Sequence, residues 1–140
     1  MSVNILVITH NQIGQELVET ALTTIQSTPM QIRTLSVPMI GDIDDIFLQA
    51  QALVHSLNAG DGVLILTDLY GSTPANIATQ LLPKSQVKVV SGVNLPMLIR
   101  TLNYPNLSLT ELALKAYSGG QEGVFLCTTD IRDAIKCNES

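Results

Sequence analysis

An open, mostly parallel α/β sheet with helices on both faces is the fold that this 140-residue sequence predicts. Two observations carry the prediction. Apolar, β-branched runs of strand length alternate with longer segments whose apolar residues recur at helical spacing, and that alternation builds parallel sheets. Clusters containing glycine or proline punctuate the segments, as turns require.

Residues 3–9 are apolar and β-branched and read as the first strand, which His10 closes. Residues 11–25 read as a helix, because Ile13, Leu17, Val18, Ala21, Leu22 and Ile25 share one face. Residues 32–37 alternate apolar and polar, the pattern of a strand with one partly exposed face, and Pro38 ends it. Ile43, Ile46, Phe47, Ala50, Leu53, Val54 and Leu57 mark the buried stripe of a second helix. The turn Asn58-Ala59-Gly60-Asp61-Gly62 leads to residues 63–67, apolar enough for a central strand. A polar loop, residues 69–73, enters a helix through Leu82, with Pro74 suited to its start. Residues 87–90 form a fourth strand. Gly92-Val93-Asn94-Leu95-Pro96-Met97 opens a helix to about residue 102. Residues 107–116 make a further amphipathic helix, which Ser118-Gly119-Gly120 is expected to break. Residues 124–128 can add one short strand at an edge, antiparallel because the connection before it is short. One domain spans residues 1–133, and the polar tail, 134–140, is expected to fray.

At 46% hydrophobic, the chain carries enough apolar content for one core of ordinary size. Its net charge of −5 argues against nucleic-acid binding, which needs a basic stripe. No apolar run is long enough to cross a bilayer, and Met1-Ser2-Val3-Asn4 lacks the basic region of a signal peptide, so the expected compartment is the cytoplasm. Cys127 and Cys137 lack metal-ligand spacing. Cys127 reads as a small apolar filler and Cys137 as a tail thiol, with no disulfide in a reducing compartment. His55 lies off the apolar stripe of its helix and reads as solvated, so no metal and no other cofactor is expected.

The chemistry gathers at strand ends. His10 ends the first strand and Asp68 the third, and strand-end loops on one edge of a parallel sheet face one crevice. A carboxylate beside an imidazole accepts a hydrogen bond from one ring nitrogen and leaves the other as a bare lone pair. That nitrogen can be a nucleophile, a general base or a metal ligand. The plainer alternative is a structural histidine beside a helix-capping aspartate. The segment after Asp68 favours chemistry. Gly71 lets the backbone approach a ligand, Ser72 and Thr73 offer hydroxyls and amides, and the helix that follows adds unpaired N–H groups and a positive dipole end. This makes a phosphate cradle, although not a P-loop, because the Gly-Lys-Ser/Thr ending is absent. No Lys or Arg lies in residues 3–16 or 62–82. A site built to hold phosphate tightly recruits such cations; one that passes a phosphoryl group on holds it less firmly. His10 therefore reads as a transient phosphoryl carrier, with compensating charge supplied by partners. A Ser72-His10-Asp68 hydrolase is disfavoured, because Gly-x-Ser-x-Gly is missing and the chain order is wrong.

Four stretches carry a family resemblance that runs to about residue 130. They are Ile8-Thr9-His10; Asp68-Leu69-Tyr70-Gly71-Ser72-Thr73-Pro74-Ala75-Asn76; Gly92-Val93-Asn94-Leu95-Pro96-Met97-Leu98; and Gly119 to Gly123 followed by Val124. In combination they resemble the IIA domain of the mannose family of the bacterial phosphoenolpyruvate-dependent sugar phosphotransferase system. The resemblance implies that His10 accepts a phosphoryl group on Nε2 from the phosphohistidine of HPr and donates it to a IIB partner. It implies that Asp68 orients the ring through Nδ1–H. It also implies that the backbone from Gly71 through Ser72 and Thr73, with the Thr73 hydroxyl, binds the phosphoryl oxygens. The family fold has four parallel strands and a fifth, antiparallel strand exchanged between two subunits. A homodimer is therefore expected, with residues 118–123 as the hinge. The membrane IIC/IID complex would be reached only indirectly.

Two departures stand out. The family often has Gly after the histidine, where this chain has Asn11. Some members are fused to a IIB domain through an Ala/Pro-rich linker, and here IIB is expected on a separate polypeptide. The phosphocarrier subunit of dihydroxyacetone kinase shares the fold and the histidine but lacks the Pro-x-Asn ending. A regulatory phosphoprotein, whose phosphorylated His10 is read by a regulator or kinase rather than used for sugar uptake, is the alternative from another functional class.

Overall fold

The computed structural model describes residues 2–82 and 86–127. Its elements are β1 (Asn4–His10), α1 (Ile13–Ile25), β2 (Ile32–Val37), α2 (Ile43–Leu57), β3 (Val63–Thr67), α3 (Thr73–Gln80), β4 (Val87–Ser91), α4 (Leu95–Leu102) and α5 (Leu109–Glu122). The strands make one parallel sheet in the order β2-β1-β3-β4. The fold class read from the sequence is the one observed.

Strand periodicity divides the core into two layers. Leu6 and Ile8 of β1 and Val63 and Ile65 of β3 face Ile46, Ala50 and Val54 of α2 and Ile77 and Ala78 of α3. Ile5 and Val7 of β1 and Leu64 and Leu66 of β3 face Val18 and Ala21 of α1, Met97 and Leu98 of α4, and Leu112 and Ala116 of α5. Ile5, Leu6, Val7 and Ile8 are wholly buried. Burial of each such side chain stabilises the fold by roughly 1.5–3 kcal/mol, so β1 is a firmly held platform for the residue that ends it. The buried Asn4 anchors its start, donating to the Leu57 carbonyl at 2.7 Å and accepting from the Gln31 amide at 2.8 Å.

Three expectations need correction. Ser118-Gly119-Gly120 does not break the last helix: α5 runs through to Glu122. A Cβ on Gly119 would stand 2.6 Å from Arg100 Cβ, and one on Gly120 would stand 2.7 Å from Met97 Cε. The glycines therefore let α5 lie close against α4, and this packing outweighs their poor helix propensity. Asn94 adds a tie across the pair, capping the Met97 amide with Oδ1 and donating from Nδ2 to the Gly120 carbonyl. The expected hinge at 118–123 is accordingly helix and turn. Second, residues 124–127 form no strand, and Thr128 lies outside the described residues. Third, Cys127 is exposed rather than packed, because it follows α5 without a paired strand to bury it. Cys137 and the tail lie outside the described residues. His55 is exposed, as expected. No helix among the described residues is long and apolar enough to cross a membrane.

Candidate functional site

The strand order reverses between β1 and β3, which is the topological switch point where open α/β sheets bind ligands. The β1–β3 ladder ends at Ile8 and Thr67, and just beyond it His10 and Asp68 meet. His10 Nδ1 lies 2.8 Å from Asp68 Oδ2, and the His10 amide donates to the same oxygen at 3.0 Å. Asp68 Oδ1 accepts from the Leu69 amide at 2.9 Å. Burial pushes the Asp68 carboxyl up, but hydrogen bonds from the His10 ring and from the His10 and Leu69 amides, with the charge of His10, outweigh it. The net direction is down from the ordinary 3.8. The group is thus an ionised carboxylate at neutral pH and can only accept. The proton is therefore assigned to Nδ1, which leaves Nε2 as a lone pair. The Asp68 side chain is 13% exposed and the His10 side chain 29%, so the carboxylate is sheltered while the ring stays within reach of solvent.

The turn after His10 reverses through Asn11, whose φ of 46° lies in the left-handed region. Its amide donates to the Val37 carbonyl at 3.1 Å. Asn is among the few side chains that accept this conformation, and glycine accepts it freely. Asn11, where the resemblance leads one to expect Gly, meets this backbone requirement as a glycine would. Asn11→Gly is expected to change stability by less than about 1 kcal/mol, whereas Asn11→Val should lower it by about 1–2 kcal/mol in urea unfolding at neutral pH.

The loop between β3 and α3 carries the residues expected to bind phosphate. Gly71 has φ 81°, and a Cβ there would touch nothing within 4 Å, so its need for glycine is conformational. Ser72 is the N-cap of α3, but its hydroxyl donates to the Leu69 carbonyl at 2.5 Å instead of capping the helix. Its amide points to the same carbonyl at 3.3 Å. The amides of Thr73 and Ala75 are left without a side-chain cap, and Pro74 has no N–H. Among the described residues, Gly71, Ser72 and Thr73 make no hydrogen bond to His10 or Asp68. The structure brings the His/Asp pair together and sets the loop at the same sheet edge.

One contributor escaped the sequence reading. The Gly92 amide, at φ 87°, donates to the Asp68 carbonyl at 3.0 Å, and the Val93 amide donates to the Thr67 carbonyl at 2.9 Å. In the sequence the Gly92-Val93-Asn94 stretch reads as the opening of a helix and as part of a resemblance, with no chemistry attached. Its work is to hold the backbone that presents the carboxylate.

Fold and site together define a class: an open parallel α/β protein with a carboxylate-paired histidine at its switch point. The chain belongs to the EIIA-man family, described as PTS system fructose IIA component, which it matches over residues 4–116. The mannose-specific EIIAB component of Escherichia coli K12 is 38% identical over 76 residues, covering 52% of this chain and 24% of that protein. The chain thus matches about a quarter of that relative's length. The fructose-specific EIIA component of Bacillus subtilis strain 168 is 29% identical over 79 residues, covering 55% of this chain and 54% of that protein. Among solved structures, the mannose/sorbose specific IIA subunit from Enterococcus faecalis superposes with a TM-score of 0.81 at 24% identity, covering 93% of this chain and 98% of that one. The PTS IIA protein associated with the fucose utilization operon of Streptococcus pneumoniae has a TM-score of 0.72 at 23% identity, covering 96% and 99%. At these identities the structural likeness establishes the fold. The family match makes the chain a IIA component of the mannose/fructose type.

Proposed function

We propose that His10 carries a phosphoryl group between two protein partners. Its Nε2 lone pair attacks the phosphorus of phosphohistidine on HPr. The new N–P bond forms as the donor's N–P bond breaks, and the bonding pair returns to the donor imidazole. In a second displacement a nucleophile on a IIB component attacks the phosphorus, the Nε2–P bond breaks and its bonding pair returns to His10. The observation that carries this reading is the 2.8 Å contact of Nδ1 with Asp68 Oδ2. It fixes the tautomer that leaves Nε2 nucleophilic and offsets the positive charge that gathers on the ring as the N–P bond forms. Little covalent work remains, so catalysis is positioning and charge stabilisation. The open amides of α3, the Thr73 hydroxyl and the backbone at Gly71 and Ser72 receive the phosphoryl oxygens.

Loops at the same sheet edge support protein partners rather than a small molecule. Met39 and Ile40 after β2 are 83% and 91% exposed, and Leu69 and Tyr70 after β3 are 63% and 86% exposed. Asp42, Asp44 and Asp45 lie beside Met39 and Ile40, so a docking partner would complement apolar side chains with an acidic border. Among the described residues the outer edge of β4 has no partner strand, and it adjoins a groove of about 640 Å³ lined by Tyr70, Val89, Val90 and Tyr117. We place the contact of a homodimer there. The test is mass spectrometry under alkaline conditions after incubation with phosphoenolpyruvate, Enzyme I and HPr. One phosphate on the peptide that contains His10 is expected; none, or one elsewhere, would overturn the assignment.

A further inference from the structure

Thr9 is the residue beside the site that the proposed chemistry leaves without a task. It precedes His10 on β1 and is 1% exposed. Its hydroxyl oxygen accepts from the Gly14 amide at 2.8 Å and its O–H donates to the His10 carbonyl at 3.2 Å. The first amides of a helix need acceptors from outside it. Gln12, at the N-cap of α1, supplies none from its side chain, so the strand supplies one through Thr9. Gly14 makes this possible: a Cβ there would stand 2.9 Å from Thr9 Oγ1 and 3.0 Å from Val7 Cγ1.

The backbone of His10 is therefore gripped on each side. Asp68 Oδ2 holds its amide, the Thr9 hydroxyl holds its carbonyl, and the Val37 carbonyl holds the next amide. Between these grips the chain passes through Asn11 at φ 46°. A backbone of that kind persists only where its surroundings over-determine it. One atom, the Thr9 oxygen, both accepts from the helix and donates to the histidine. A methyl group in its place could do neither, and would leave the buried Gly14 amide unpaired.

We propose that Thr9 is a positioning residue for phosphoryl transfer. It fixes the peptide that follows His10 and so keeps Nδ1 on Asp68 and Nε2 toward the incoming phosphoryl group. The proposal rests on the reading of His10 as the carrier.

The test compares Thr9→Val, which keeps the shape and removes the hydroxyl, with Thr9→Ser, which keeps the hydroxyl. Two quantities are read: the transfer rate against the concentration of phosphorylated HPr, and the ¹⁵N shifts of the His10 ring. Thr9→Val should lower the maximal rate about tenfold or more, as small misplacements of a reacting group do. The half-saturating concentration of the donor should stay unchanged, because the docking loops are untouched. The ring shifts should move toward a mixture of tautomers. Thr9→Ser should restore both rate and spectrum. A folded Thr9→Val protein with wild-type rate and spectrum would overturn the proposal. So would a Thr9→Ser protein as slow as Thr9→Val, or a slow Thr9→Val protein with an unshifted ring. If Thr9→Val does not fold, Thr9→Ala, which leaves room for a water at the Gly14 amide, is judged by the same criteria. Failure of the wild-type protein to accept phosphate would count against the carrier reading instead. The ring spectrum needs no donor, so an unshifted ring in a folded Thr9→Val protein overturns the role of Thr9 whatever becomes of the carrier reading.

Discussion

His10→Ala is expected to accept no phosphate from phosphoenolpyruvate in the presence of Enzyme I and HPr, under conditions that label the wild-type protein fully. The N–P bond has nowhere else to form. His55, the other histidine, is exposed on α2, and no carboxylate among the described residues is bonded to its ring. His55→Ala is accordingly expected to label like wild type. The loss in His10→Ala should not reflect unfolding. The ring's described bond is to Asp68, and that carboxylate keeps the amides of His10 and Leu69 when the imidazole is gone. The thermal midpoint should therefore move by a few degrees at most, as surface-proximal truncations do. Stability of the label to acid and base gives an independent check. Phosphohistidine survives alkali and hydrolyses in acid, whereas an acyl phosphate on Asp68 would hydrolyse in alkali. Label that persists in a folded His10→Ala protein would sink the carrier assignment.

The fold was legible because the central strands, β1 and β3, are buried on both faces and leave continuous apolar runs, while β2 alternates as a half-exposed strand does. β2 and β3 fall on the residues that alternation and apolarity predicted, and β4 extends one residue further, to Ser91. Meaning was misread where one residue type serves two ends. Gly119 and Gly120 carry the signature of a helix break, yet they sit inside α5 because Arg100 and Met97 leave no space for a Cβ. Tertiary packing decides between those outcomes, and the local pattern does not contain it. The His10–Asp68 pair was legible for a different reason: in a parallel sheet, a residue at the end of one strand and a residue at the end of its neighbour share an edge. Which hydroxyl is spent was not legible. Ser72 turns its O–H to Leu69 and leaves the start of α3 uncapped, a choice set by loop geometry alone. The same holds for Thr9, which reads in sequence as an ordinary β-branched strand residue.

Asp68→Asn should fold and should transfer phosphate about 10- to 100-fold more slowly, the usual effect of losing a carboxylate that orients a functional imidazole. The substitution keeps shape and removes charge, and no orientation of the amide reproduces the carboxylate. Two donors from His10, the amide and Nδ1–H, converge on Oδ2, while the Leu69 amide points at Oδ1. If the Asn oxygen faces His10, its NH₂ group opposes the Leu69 N–H. If the NH₂ group faces His10, it donates to Nδ1 and drives the ring proton to Nε2, which removes the nucleophilic lone pair. Either way the negative charge opposite the phosphorylated ring is lost. Acid unfolding supplies the second readout. The Asp68 carboxyl is held below its ordinary 3.8, so its stabilising contribution is complete above that value and disappears as pH falls through the lowered one. Urea midpoints of wild type and Asp68→Asn should therefore differ most at neutral pH and converge in acid. A transfer rate equal to wild type would mean that tautomer and charge are set elsewhere. A stability gap that stays constant down through the carboxylate range would mean that the 2.8 Å contact is not that of an ionised carboxylate.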